Sequence, residues 1–481
     1  MKAKIIIIVC LSLFFISAIS NHLFQNVKSQ NAVNKKLITV CPSPTPTPNN
    51  FPSYHEDFPF DETFCAKGEK PFELSQDYPL SFTSEKLRWT KIVKKKSDFK
   101  TKWREYLMAV LNYGYEGNLE ENFEVQKNRV RNWYHAPWMH YGATGREFVH
   151  GLTRERRACL EVLLGAKKCF DEKNRTIQNW AVSFYNAPGG FYIGKVWREM
   201  YNPELDIKRP NKHPDAANFP KEGFPEGTVV IKLIFTDAIN QPIVKGSVTW
   251  NAHINELKEN NEINADKRKL SEMRLFQIDV AVREREDIAP TGWIYGSFVY
   301  NVNNTALMNY SPTKPIDSGW LKMTPIGLTI GNNESESFKE VDSKLPFAQH
   351  FGCNQYLKNV ELVEGADRLN GPIDNPIFSC ISCHAAAEVK QHIAFSNFFE
   401  TYSSPCENER DNQFWFKNIN PRSDRAFIRT LSGTEKDFSL DTSLQLRNGI
   451  DHCCQARIKG DTIRGCVCDS TTVNKKTEVQ R

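Results

Sequence analysis

Two cysteines and a histidine carry the clearest chemistry in this chain. Cys380-Ile381-Ser382-Cys383-His384 has the spacing C-x-x-C-H, the pattern through which a c-type haem is attached. Two thiols three residues apart lie near one face of a helical turn and reach the two vinyl groups of one porphyrin. His384 then falls beneath the ring, with its imidazole directed at the iron. The expectation is one covalent haem c, attached through Cys380 and Cys383, with His384 as the proximal ligand. The motif occurs once, which argues against a multihaem protein. Two alternatives use the same residues. One is a C-x-x-C disulfide followed by an incidental His. The other is a zinc site that borrows two later cysteines.

The sixth iron ligand decides between carrying electrons and doing chemistry. Small cytochromes c supply a Met downstream of the motif, and no Met follows Met323 here. His392 lies eight residues past His384; on a continuing helix it shares the proximal side and does not reach the distal face. His452 lies in the tail beside Cys453. Upstream candidates are His135, Met139, His140, His150, Met308, Met323 and His350. The block 133–154 is favoured, because aromatic residues, His and Arg converge there. Met139 or His140 would close a six-coordinate electron carrier. An open site with His140 or His150 near Arg146 would follow peroxidase logic, where polar distal groups polarise a bound oxygen species. The bland reading of Arg146, Glu147, Arg154, Glu155 and Arg156 is structural ion pairing.

The rest of the chain must position these groups. Lys2 and Lys4 precede an apolar run from Ile5 to Ile19, the form of a signal peptide or N-terminal anchor. Export places the chain in an oxidising compartment, where disulfides persist. Of thirteen cysteines, Cys10 lies in the apolar run and two are assigned to haem. The ten others are an even number, so all can pair. Cys453, Cys454, Cys466 and Cys468 with His452 form a possible metal set, for which two disulfides are the simpler account. The net charge of +5, from 62 basic and 57 acidic residues, is too small to argue for nucleic acid. Hydrophobic content of 40% and charged content of 25% are those of an ordinary globular chain.

Composition divides the chain into a leader at 1–20, a Pro-rich flexible linker at 21–60, a helical then β-rich body at 61–340, a haem-attachment segment at 341–405 and a cysteine-containing tail at 406–481. In 97–116, Phe99, Trp103, Tyr106, Leu107, Val110 and Leu111 predict an amphipathic helix. Pro137 and Gly142 favour a loop in the aromatic block. Val229–Phe235, Arg274–Val282 and Trp293–Tyr300 are short β-branched and aromatic runs that predict strands. Pro188-Gly189-Gly190 resembles a turn, without phosphate-loop spacing. Ala385-Ala386-Ala387-Glu388-Val389 predicts continued helix after the motif. Beyond 406 no period is visible, and a disulfide-stapled or irregular tail is expected.

Several stretches resemble bacterial exported single-haem proteins of the cytochrome c family. They are 133–138 (WYHAPW), 145–153 (GREFVHGLT), 291–293 (TGW) and 368–376 (RLNGPIDNP) ahead of the haem motif. The similarity runs from about 130 to 400. It implies one haem and export, and no particular substrate.

The expected architecture is α+β, with a β-rich antiparallel central region (a sandwich or open barrel), a helical N-terminal part and an embedded haem c segment. The expected function is haem binding and electron transfer with a periplasmic redox partner protein or a small-molecule donor or acceptor. The chain is expected in the periplasm or another extracytoplasmic space, with a possible membrane tether at its N-terminus. The alternative is a periplasmic haem enzyme, peroxidase- or oxidase-like, with an open distal site.

Overall fold

The computed structural model of the chain describes residues 74–83, 85, 87–139, 146, 147, 149–155, 157, 177–198, 223–260, 262–304, 310–331, 337–339, 380, 384, 387–390, 437–439 and 441–458. The leader, the Pro-rich linker, Cys383, His140, Met308, His350 and His392 lie outside these residues. Among the described residues no helix is long and apolar enough to cross a membrane.

The stripe of large apolar residues predicted as helical forms α1 (Phe99–Tyr115), and its six apolar positions are all buried. Two short strands follow, β1 (Trp133–Tyr134) and β2 (Thr153–Arg154). They flank the free edge of β3 (Asn179–Asn186). Helix α2 (Ala187–Val196) starts directly after β3. Pro188-Gly189-Gly190 therefore opens a helix instead of making a turn. Pro lacks an N–H that a first helical turn leaves unpaired anyway.

The remaining strands of the main sheet are β4 (Val229–Thr236), β5 (Thr249–Leu257), β6 (Ile263–Arg283), β7 (Trp293–Tyr300), β8 (Met323–Thr329) and β9 (Ser337–Lys339). All pairings are antiparallel, in the order β1-β3-β4-β6-β7-β8-β9, with β2 on β3 and β5 on β6. The protein is thus a mixed α and β fold built on one large antiparallel sheet. The three predicted strands are β4, the second half of β6, and β7.

Both faces of the sheet are covered. Along β4, Val229, Ile231, Leu233 and Phe235 enter the cluster that also holds α1, while Val230 packs against a second cluster on the opposite face. Successive strand side chains point to opposite faces. On β7, Ile294 and Phe298 face α1, whereas Trp293 and Tyr295 face the second cluster. That two-sided burial explains why these strands read as nearly continuous apolar runs rather than strict alternations.

The C-terminal region departs most from expectation. β10 (Glu388–Lys390) pairs with β11 (Asp437–Ser439), and helix α3 (Leu444–Ile458) follows. Leu446, Ile450 and Cys453 of α3 are buried in the second cluster with Trp138, Met139, Tyr185 and Trp293. Of the tail, helix α3 packs against the body. The predicted helical continuation through Glu388 and Val389 is also overturned: these residues are extended and bonded to β11. Ala387 is not helical, and its buried methyl joins the second cluster.

Candidate functional site

Register places the site on one face of the sheet. Tyr185 opposes Val230, Val230 opposes Ala281, and Ala281 opposes Tyr295. One row of side chains therefore crosses β3, β4, β6 and β7. Its two tyrosines stand three strand spacings apart, about 14 Å at the backbone, above the smaller Val230 and Ala281. They grip consecutive residues ahead of α3. The Tyr295 hydroxyl donates to Thr442 Oγ1 at 2.8 Å, and the Tyr185 and Ser443 hydroxyls bond at 3.0 Å. Burial raises both phenols above their ordinary pKa, so both stay protonated and able to donate.

Asp441 completes the grip. Its Oδ1 accepts from Trp293 Nε1 at 2.9 Å and its Oδ2 from the Phe224 N–H at 2.6 Å. The buried Arg283 guanidinium lies 3.8 Å from Oδ2. Gly292, at φ 73°, is required here, because a Cβ would overlap that guanidinium. Asp441 and Thr442 adopt φ values of 47° and 64°. Left-handed backbone is strained for a β-branched residue and persists only where the surroundings enforce it.

The strained turn presents its carbonyl to His384 of the C-x-x-C-H segment. His384 Nδ1 lies 2.9 Å from the Thr442 carbonyl oxygen. A carbonyl only accepts, so Nδ1 carries the proton and Nε2 holds the lone pair. A carbonyl behind Nδ1 is the usual partner of a metal-bound imidazole. The His384 ring tilts against Tyr295 at 4.7 Å between centroids. Cys380, half-buried and one helical turn earlier, packs against the same aromatic cluster. Cys453 is disulfide-bonded.

The favoured block 133–154 is divided between the two faces. Trp138 and Met139 are buried in the cluster that Cys380 joins. His135 lies under Phe184, and its Nδ1 accepts from the Ser75 N–H at 3.0 Å. That bond leaves the proton on Nε2, the opposite tautomer to His384. Burial, then the Arg146 charge, hold His135 well below its ordinary pKa. His150 stacks on Trp250 at 4.2 Å, in the cluster on the α1 face. The sheet separates it from Cys380 and His384. Arg146 donates to the Gly151 and Ala136 carbonyls. Glu147 accepts backbone N–H groups of Val149, His150, Leu152 and His253. Both shape their loops through these bonds to backbone groups, where ion pairing was the structural expectation.

Sequence reasoning missed Thr442, Tyr295 and Tyr185. No motif marks them; the one visible cue was a polar Asp-Thr-Ser run ahead of an apolar Leu444, Leu446 and Ile450 spacing. Among the described residues, no three His, Cys, Asp or Glu side chains gather as a metal site. Comparisons with protein-family models, curated proteins and solved structures find no match to this chain.

Proposed function

We propose that this chain is an exported mono-haem c-type cytochrome that passes electrons between partners in the periplasm or a similar compartment. The observation that carries the reading is the bond between Nδ1 of His384, four positions after Cys380, and the Thr442 carbonyl. The residues fit the group. Cys380 and Cys383 supply thiols, His384 offers an Nε2 lone pair, and Tyr185, Phe224, Trp293 and Tyr295 give an apolar aromatic wall. The likeness of 368–376 to single-haem cytochromes points the same way. The disulfide alternative gives no reason for a carbonyl behind the imidazole. A zinc-bound imidazole would share that partner, and it is the C-x-x-C-H spacing that favours haem over zinc.

A bound haem would supply one-electron chemistry at iron. The chain's part is to hold and orient it. Thioether bonds from Cys380 and Cys383 would fix the ring. The Thr442 carbonyl fixes the His384 tautomer and makes the imidazole a stronger donor. The two tyrosines keep that carbonyl in place. The carrier reading is preferred to a peroxidase-like enzyme, because His150 stacks on the other face and Arg146 is committed to backbone carbonyls.

The test is the mass of full-length protein expressed in a host able to mature c-type cytochromes. We expect the mature polypeptide plus one haem, retained after denaturation, and loss of covalent haem in Cys380→Ser with Cys383→Ser. A colourless protein with the bare polypeptide mass would refute the reading. A ferric spectrum that shifts rapidly with cyanide would favour the enzyme over the carrier.

A further inference from the structure

Three described histidines have a tautomer set by a backbone partner. His135 accepts at Nδ1 from an N–H. His384 and His452 both place Nδ1 on a carbonyl, that of Thr442 at 2.9 Å and that of Trp138 at 2.8 Å. In both cases the carbonyl can only accept, so Nε2 is the lone-pair nitrogen. The likeness goes further. Trp138 is fully buried and has φ 62°, a left-handed conformation rare for a bulky residue. Each histidine is therefore tied to the carbonyl of a non-glycine residue held in left-handed backbone. Such outliers collect at functional sites.

The two histidines also belong to one assembly. Helix α3 follows directly on the turn that binds His384, and its Leu446, Ile450 and Cys453 are buried in the cluster that receives Cys380, Ala387 and Met139. His452, half-buried, stands beside Cys453 on the flank facing Trp138. It lies eight residues into α3, about 12 Å along the axis from the helix start. Gly449 permits the approach: a Cβ there would lie 2.8 Å from the Pro137 carbonyl oxygen.

We infer that His452 is the second axial ligand of the iron, giving two-histidine ligation through His384 and His452. The inference rests on the haem reading above. It replaces Met139 and His140 as favoured ligands. The buried Met139 thioether serves as packing beside the site, the commoner use of Met in an apolar cluster.

The test is the ferric spectrum and electron paramagnetic resonance of the full-length haem-loaded protein, with His452→Ala and Met139→Leu beside it. The wild type should be low-spin, with no sulfur-to-iron charge-transfer band. His452→Ala should become high-spin and bind carbon monoxide when reduced, and added imidazole should restore the low-spin form. Met139→Leu should keep the wild-type spectrum. A sulfur-to-iron band in the wild type, or a low-spin His452→Ala that still carries covalent haem, would overturn the inference and leave the cytochrome reading standing. Loss of covalent haem from wild type overturns both. Should His452→Ala fail to fold, the wild-type resonance alone separates two-nitrogen from nitrogen–sulfur ligation.

Discussion

At the scale of single residues, the site depends on one strained carbonyl. Thr442 carries a side chain that disfavours its backbone conformation, and its neighbours hold it there through Trp293, Tyr295 and Tyr185. Removing one of these bonds separates grip from packing. Tyr295→Phe keeps the ring against His384 and deletes the bond to Thr442 Oγ1. We expect a loss of about 1 kcal/mol in unfolding free energy, measured by denaturant titration. In the proposed haem-loaded form we also expect a shifted ferric absorption spectrum as the His384 orientation loosens. An unchanged stability and spectrum would mean that the turn is held without this hydroxyl. The C-x-x-C-H spacing of Cys380, Cys383 and His384 was visible in the sequence, because such a motif is local in the chain. Thr442 was not, because a backbone carbonyl has no residue type.

At the scale of elements, the notable packing is α3 against the 137–138 turn. Ala is a better helix former than Gly by about 1 kcal/mol, so Gly449→Ala would stabilise an exposed helix. Here the new methyl meets the Pro137 carbonyl oxygen, and overpacking of this kind costs about 1–3 kcal/mol. We expect net destabilisation of Gly449→Ala, read as a lower denaturation midpoint with unchanged slope. A raised midpoint would show that α3 and the turn are not in tight contact. Helix α1, strands β4 and β7 and the second half of β6 were legible because each carries enough apolar residues in a clear period or run. The α3 segment was missed because few of its positions are apolar and polar Arg447 and His452 interrupt them. Its burial depends on pockets supplied by residues over 200 positions away.

At the scale of the whole molecule, two titratable groups, the buried His135 and the half-buried Asp237, oppose each other in mildly acid solution. His135 is kept neutral by burial, with a lesser push from Arg146. Below about pH 6.5 the unfolded chain takes up a proton there that the folded chain refuses, so stability falls as pH falls. Asp237 has its pKa raised to about 6 by burial. Its folded form binds a proton more readily than the unfolded one, so this contribution is present at low pH and lost as pH rises through about 6. Between about pH 4 and 6 the two effects offset one another. Asp237→Asn keeps an oxygen for the Gln178 N–H and removes the titration. We expect the variant to be at least as stable as wild type above pH 7, by up to about 2–3 kcal/mol. It should lose stability more steeply than wild type between pH 6 and 4. Parallel stability profiles for the two proteins would count against the half-buried, protonated Asp237.

The amino-acid order alone determined the local chemistry: two thiols and an imidazole at fixed spacing, a helix with one apolar face, and strands rich in β-branched and aromatic residues. These follow from short-range geometry, which the chain carries with it. The tertiary structure decided which side of the sheet each histidine occupies and which ring nitrogen keeps its proton. Those depend on strand register and on backbone carbonyls brought in from distant segments. His135 and His384 look alike as letters. The group that meets Nδ1, an N–H in one case and a carbonyl in the other, leaves the proton on Nε2 in the first and the lone pair on Nε2 in the second.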